Sequence, residues 1–112
     1  MKGRTAGRPY VCLDLGFHSD PKVMAAGNGA SGLFARALSY AGYHRTDGFV
    51  PELWARANGT RTERQKLTNA GLWTVEEHGY RIGNWTRYQQ TRAEVEANHR
   101  ERSEAGKKQP AK

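Results

Sequence analysis

The sequence has one cysteine among 112 residues, Cys12, so no disulfide can close within the chain and no cage built from cysteines alone can hold a metal. No apolar run approaches the roughly 18 to 20 residues that cross a bilayer. The opening Met1-Lys2-Gly3-Arg4 leads into no apolar stretch of the signal-peptide kind. A cytoplasmic protein without membrane association is the expectation. Acids are scarce: 11 Asp+Glu stand against 18 Lys+Arg, a formal net charge of +7, which favours an anionic partner. Internal repeats are also missing, and low complexity is confined to residues 105–112, read as a frayed end.

What is present suffices for one small core. Thirty-seven per cent of the residues are hydrophobic, with three Trp, five Tyr and three Phe, aromatics that a disordered basic tail would lack. Positive charge gathers at the ends: Lys2, Arg4 and Arg8 come without an acid, and residues 91–112 hold six bases against four acids. Between them only Arg61 to Lys66 is locally basic, with Arg61, Arg64 and Lys66 against Glu63.

Residues 10–17 alternate, with Val11, Leu13, Leu15 and Phe17 on one side of an extended chain, and read as a strand. Asp20 can cap a short helix from Pro21 to Ala26 that Gly27 stops. Ala30, Leu33, Phe34, Ala37, Leu38 and Ala41 recur at helical spacing and mark a core helix from Ser31 to about Ala41. Pro51 opens a further helix with Leu53, Trp54 and Ala57 inward, ended by Asn58-Gly59. Thr60 and Glu63 form a capping box for the next, with Leu67 and Ala70 inward and Gly71 as its cap. Two β-prone runs, Leu72 to Val75 and Tyr80 to Ile82, make a hairpin in which Gly79 takes the positive φ of a tight turn. A second capping box, Thr91 to Glu94, starts a polar helix with Glu96–Arg100 and Glu104–Lys108 at four-residue spacing.

This order predicts an α+β, mainly helical fold: a winged helix-turn-helix over residues 10–90 with a short β-hairpin wing. A flexible basic arm at residues 1–9 precedes it, and a polar C-terminal helix with a frayed tail at residues 91–112 follows. Leu33, Phe34, Leu38, Leu53, Trp54, Leu67, Leu72 and Ile82 should be buried. The helix that starts at Thr60 takes the recognition position. A recognition helix lies in the major groove with its N-terminal side chains at base edges, and Arg61, Arg64, Gln65 and Thr68 share one face at i, i+3, i+4 and i+7. Arg pairs with guanine and Gln with adenine, while Lys66 meets phosphate. Thr62 and, from the hairpin, Arg81 complete the expected DNA-binding set. Glu76 and Glu77 at the wing turn would repel phosphate.

Other signals are set aside. Gly27-Asn-Gly29-Ala-Ser-Gly32 fits the dinucleotide fingerprint, yet a helix precedes it where the fingerprint needs a strand, so no cofactor is expected. His18, His44, His78 and His99 lack metal-ligand spacing, so no metal is expected either. Asp14 and His18 are read as a structural hydrogen-bonded pair, because no nucleophile accompanies them, and no catalysis is expected. Trp54, Trp73, Trp85 and the tyrosines have the chemistry to stack single-stranded bases, but they fall on faces assigned to the core and are read as packing. Two Asn-x-Thr triplets, at Asn58 and Asn84, are read as turn and cap residues.

Read together, Gly16-Phe-His-Ser-Asp-Pro-Lys-Val23, Thr46-Asp-Gly-Phe-Val-Pro51, Ala70-Gly-Leu-Trp73 and Gly79-Tyr-Arg-Ile-Gly-Asn-Trp85 resemble a family of actinobacterial and actinophage proteins. Tyr88-Gln89 and Thr91-Arg-Ala-Glu-Val95 extend the resemblance to about residues 10–96. That family has an N-terminal winged-helix domain related to phage replication-initiation and helicase-loader proteins. The resemblance implies the fold and a bacterial host cell. Family members often continue into a longer C-terminal part, so the expectation here is a stand-alone module. The expected function is a non-catalytic, duplex-DNA-binding protein in replication or transcription control. The alternative is an interaction module that docks on replication or transcription machinery, with weak homodimerisation through the polar helix.

Overall fold

The computed structural model describes residues 10–108, and of residues 103–108 the backbone only. The basic arm at residues 1–9, the tail from residue 109 and the Glu104–Lys108 pairing lie outside this description. The chain is α+β and mainly helical, with a three-stranded antiparallel sheet.

Helix α1, Pro21–His44, starts where Asp20 Oδ1 accepts the Lys22 N–H at 2.8 Å. It joins the two expected helices end to end. Gly27, at φ 85° and ψ 174°, leaves helical geometry between them, as expected of a helix stop, and the second helix resumes at once in a kinked continuation, a conformation only glycine adopts without strain. Beyond it Ala30, Leu33, Phe34, Ala37, Leu38 and Ala41 are all buried. Arg45, in the left-handed region at φ 56°, ends the helix.

Strand β1, Phe49–Pro51, runs directly into α2, Glu52–Asn58, and α3, Arg61–Ala70, follows. Both bonds of the Thr60 and Glu63 capping box are made, at 2.9 and 3.1 Å. Gly71, at φ 77°, caps the other end, and Leu67 is fully buried. Strands β2, Trp73–Glu76, and β3, Gly79–Ile82, form the expected hairpin, and β3 lies in the middle of the order β1-β3-β2. The register pairs Val50 with Tyr80, Val75 with Tyr80, and Trp73 with Ile82. Because opposed residues share a face, Val50, Trp73 and Ile82 close the core while Phe49, Thr74, Glu76 and Arg81 line the outer face. A short helix α4, Trp85–Tyr88, leads to α5, Arg92–Lys108, whose first turn has the Thr91 and Glu94 capping box at 2.9 and 3.2 Å. No helix among the described residues is long and apolar enough to cross a membrane.

Several expectations are corrected. Residues 10–17 form no strand. Their alternation has no neighbouring strand to meet, so Cys12 uses a side chain in its place: its N–H donates to Gln89 Oε1 at 2.7 Å and its carbonyl accepts from Gln89 Nε2 at 2.6 Å. The segment then turns into a 3-10 turn at Phe17–Ser19, leaving Leu15 94% exposed. In α2 the inward residue is Ala55, while Leu53 and Ala57 are exposed and Trp54 is half-buried. Helix phase is set by β1: Pro51 pairs with Gly79 and the Glu52 N–H donates to the His78 carbonyl at 2.9 Å, which turns Ala55 to the core. Leu72 is half-buried rather than buried.

In the hairpin turn the positive φ of 68° belongs to His78, not to Gly79. Gly79 is needed for a different reason, since a Cβ there would collide with the Val50 carbonyl and the Phe49 ring. Finally, Glu96 pairs back to Arg92 at 3.0 Å instead of forward to Arg100. The start of α5 is fixed to the domain where the Arg92 N–H donates to Asp47 Oδ1 at 2.6 Å.

Candidate nucleic-acid interface

Two stripes run along α3. Leu67 points into the core against α1, and Trp73 of β2 covers the neighbouring flank, its Nε1 donating to Thr68 Oγ1 at 3.0 Å and to the Arg64 carbonyl at 3.3 Å. This packing divides the expected reading face. Arg64 is half-buried, with Nη1 donating to the Gly59 carbonyl at 2.7 Å, and half-buried Thr68 donates to the Arg64 carbonyl at 3.2 Å. Arg64 and Thr68 therefore belong to the flank that joins α3 to the sheet.

The exposed stripe consists of Arg61, Thr62, Gln65, Lys66 and Asn69. Asn69 escaped the sequence reading although it sits one turn beyond Gln65 on the same face. Among the described residues neither Arg61 nor Lys66 is in an ion pair. The one acid of the helix, Glu63, is occupied by the Thr60 N–H. The stripe thus offers two cations and three amide or hydroxyl side chains of the kinds that meet phosphates and base edges.

Arg81 is placed differently. Its Nε and Nη2 donate to the two carboxylate oxygens of Glu76 at 2.9 and 3.0 Å, and its Nη1 donates to the carbonyls of Thr46 and Asp47 at 3.3 and 3.2 Å. The guanidinium also lies 5.4 Å from the centre of the Phe49 ring. Hydrogen bonding to Arg81 lowers the Glu76 carboxyl below its ordinary range, and the same bond raises Arg81. A phosphate contact by Arg81 would have to compete with the Glu76 carboxylate. At the wing turn Glu77 and His78 are exposed and 3.4 Å apart, so the tip holds an acid where a phosphate-binding wing would hold a cation. Arg87 is exposed and lies over the Tyr88 ring.

The remaining signals resolve into local structure. The Gly27 to Gly32 segment lies at the kink between the two helical stretches of α1 with a helix and not a strand before it, so it is not the strand-to-helix loop that the fingerprint needs. Asp14 and His18 do not bond each other: Asp14 Oδ2 accepts the Gly16 N–H at 3.0 Å, and His18 Nδ1 bonds the Leu15 carbonyl at 3.1 Å. Among the described residues no three His, Cys, Asp or Glu side chains cluster as metal ligands. A cavity of about 120 Å³ lies under residues 12–23, lined by Phe17, Phe34, Trp85 and Gln89, but the Gln89 amide is committed to Cys12. Compared with known proteins, the chain matches no family model, no curated protein and no solved structure.

Proposed function

We propose that this chain is a winged helix-turn-helix module that binds duplex DNA without catalysing a reaction. In this reading α2 and α3 are the helix-turn-helix pair, α3 enters the major groove, and β2 with β3 forms the wing. The setting is replication or transcription control in the cytoplasm of a bacterial host cell, as in the phage-type family that the sequence resembles. The observation that carries the reading is the exposed stripe of α3, where Arg61 and Lys66 stand beside Thr62 and Gln65 with no acid opposing them among the described residues. Arg64, Thr68 and Arg81 take supporting parts: Arg64 holds the turn between α2 and α3 through Gly59, Thr68 ties α3 to the hairpin, and Arg81 ties the hairpin to the loop before β1.

One observation favours a second reading, a module that docks on a replication or transcription protein. The wing tip offers Glu77, and its neighbouring arginine is closed by Glu76, so the hairpin has little to offer a phosphate backbone. Weak self-association through α5 belongs with this second reading.

Titration of a mixed-sequence duplex at two salt concentrations separates them. Binding that weakens steeply with salt, and weakens further in Arg61→Ala/Lys66→Ala, supports the first reading, because each phosphate neutralised releases counterions. Absence of duplex binding, or binding that the double substitution leaves unchanged, rejects it.

A further inference from the structure

The tyrosines of α1 are not in the core. Tyr43 is 83% exposed and His44 is exposed, while Tyr40 and Trp54 are half-buried. These four side chains form a continuous ladder across α1 and α2. The Tyr43 and His44 ring centres are 4.9 Å apart, His44 and Tyr40 4.4 Å, and Tyr40 and Trp54 5.0 Å. Trp54 packs partly against the core, but Tyr43 is exposed enough that a charged residue there would have cost the core nothing.

Charge on the ladder's own helix has one sign. Helix α1 contains no Asp or Glu in its 24 residues. Arg36 lies one turn before Tyr40 and is held at the Trp54 end: its guanidinium donates to the Asn58 carbonyl and side-chain oxygen, and Asn58 Nδ2 donates to the Trp54 carbonyl at 2.9 Å. At the other end Arg45 is exposed, directly follows His44, and has no ion pair among the described residues. The acids that come next along the chain are both engaged, Asp47 with the Arg92 N–H and Glu52 with Arg56 at 3.0 Å.

We infer that this ladder is a stacking platform for single-stranded nucleic acid, distinct from the duplex-binding stripe on α3. Aromatic faces beside an unpaired cation are the pattern that holds unpaired bases, because every base has a π-face to stack and the cation meets the sugar-phosphate chain. Tyr43 is the outermost ring and takes the first base. Arg45 meets the adjoining phosphate, while Arg36, held by Asn58, braces the Trp54 end. The inference stands without the α3 reading, because the two surfaces share no residue.

The test uses the whole chain with the oligonucleotides dT15 and U15, which separate DNA from RNA as the source of the strand. Trp73 and Trp85 are 0% and 6% exposed, so quenching of tryptophan emission on titration reports Trp54. The expected result is quenching by at least one oligonucleotide. Tyr43→Ala should weaken binding about tenfold, whereas Tyr43→Trp should retain it, and Arg45→Ala should flatten the salt dependence. Tyr43 is so exposed that its replacement leaves the fold intact, which circular dichroism checks. Arg61→Ala/Lys66→Ala should leave these affinities unchanged. Failure of both oligonucleotides to bind, or equal binding by Tyr43→Ala, overturns the platform and leaves the ladder to a protein contact. Loss of single-strand binding in Arg61→Ala/Lys66→Ala also overturns it, by assigning the strand to α3. Duplex binding that fails while dT15 or U15 still binds rejects only the α3 reading.

Discussion

Arg61 on α3 and Arg81 on β3 carry the same guanidinium within the same small domain, yet their surroundings give them opposite roles. Arg61 projects from a helix whose single acid is already occupied, so its charge faces solvent. Arg81 sits in the middle strand of the sheet, where Glu76, Phe49 and two backbone carbonyls enclose it. The hairpin has thus spent its cation on holding itself to the loop at Thr46 and Asp47, and that loop in turn caps α5 through Asp47. Counting arginines makes the two regions equivalent. Counting satisfied donors separates a surface available to an anion from a brace.

The residue that joins the two regions gives the largest expected effect. Trp73 is fully buried, stacks on Tyr80 at 4.3 Å and donates to α3 through Thr68. Trp73→Ala should cost about 3 to 5 kcal/mol in urea unfolding, by cavity formation and loss of the indole bond. A loss below about 1 kcal/mol would show that α3 and the hairpin are held by something else. Next comes the contrast between the arginines. Arg61→Ala/Lys66→Ala should reduce the logarithmic salt slope of duplex binding by about two, with stability unchanged within about 0.5 kcal/mol. Arg81→Ala should do the reverse, leaving the slope alone and costing about 1 kcal/mol, a figure kept low because the side chain is partly in solvent. Equal effects on the slope would erase the distinction.

Thr60→Ala removes one half of the capping box and should destabilise by about 1 kcal/mol, read by thermal unfolding, without moving the salt slope of a still-folded protein. The smallest effect is expected from pH. Hydrogen bonding to Arg81 lowers the Glu76 carboxyl, so the folded chain takes up this proton less readily than the unfolded chain. The stability it contributes is complete above the ordinary value of 4.5 and is lost as pH falls through the lower folded value. Glu76→Gln should therefore flatten the acid limb of the stability curve and leave neutral DNA binding unchanged. An acid limb identical to that of the parent chain would show that the Glu76 and Arg81 fork adds nothing in solution.

Motifs closed within a few residues were legible in advance. Asp20 with Pro21, Thr60 with Glu63, Thr91 with Glu94 and the two runs of the hairpin all appear where their spacing put them, because each satisfies its own backbone donors locally. The candidate interface was half legible. Arg61, Thr62, Gln65 and Lys66 are exposed as expected, but Thr68 is held by Trp73, a residue on another element, and the Arg64 side chain by the Gly59 carbonyl. Tyr43 departs from its expected packing role for a similar reason, whereas Trp54 does pack partly on the core: apolar rings on a helix look like core until the buried face is known. Leu33, Leu38 and Ala41 already fill that face, so Tyr43 and His44 are left outside and Tyr40 is half-buried at its edge.

By itself the sequence determined the net positive charge, the helix starts and stops, the hairpin and an α+β, mainly helical chain. Each follows from composition or from bonds spanning a few residues. Tertiary structure alone decided that residues 10–17 would find Gln89 instead of a strand, that Ala55 and not Leu53 would face inward, and that Arg81 would be closed by Glu76 and the Thr46 and Asp47 carbonyls. These outcomes depend on which surface lies opposite a side chain, and partners as far apart as Cys12 and Gln89 meet only when the whole chain has packed.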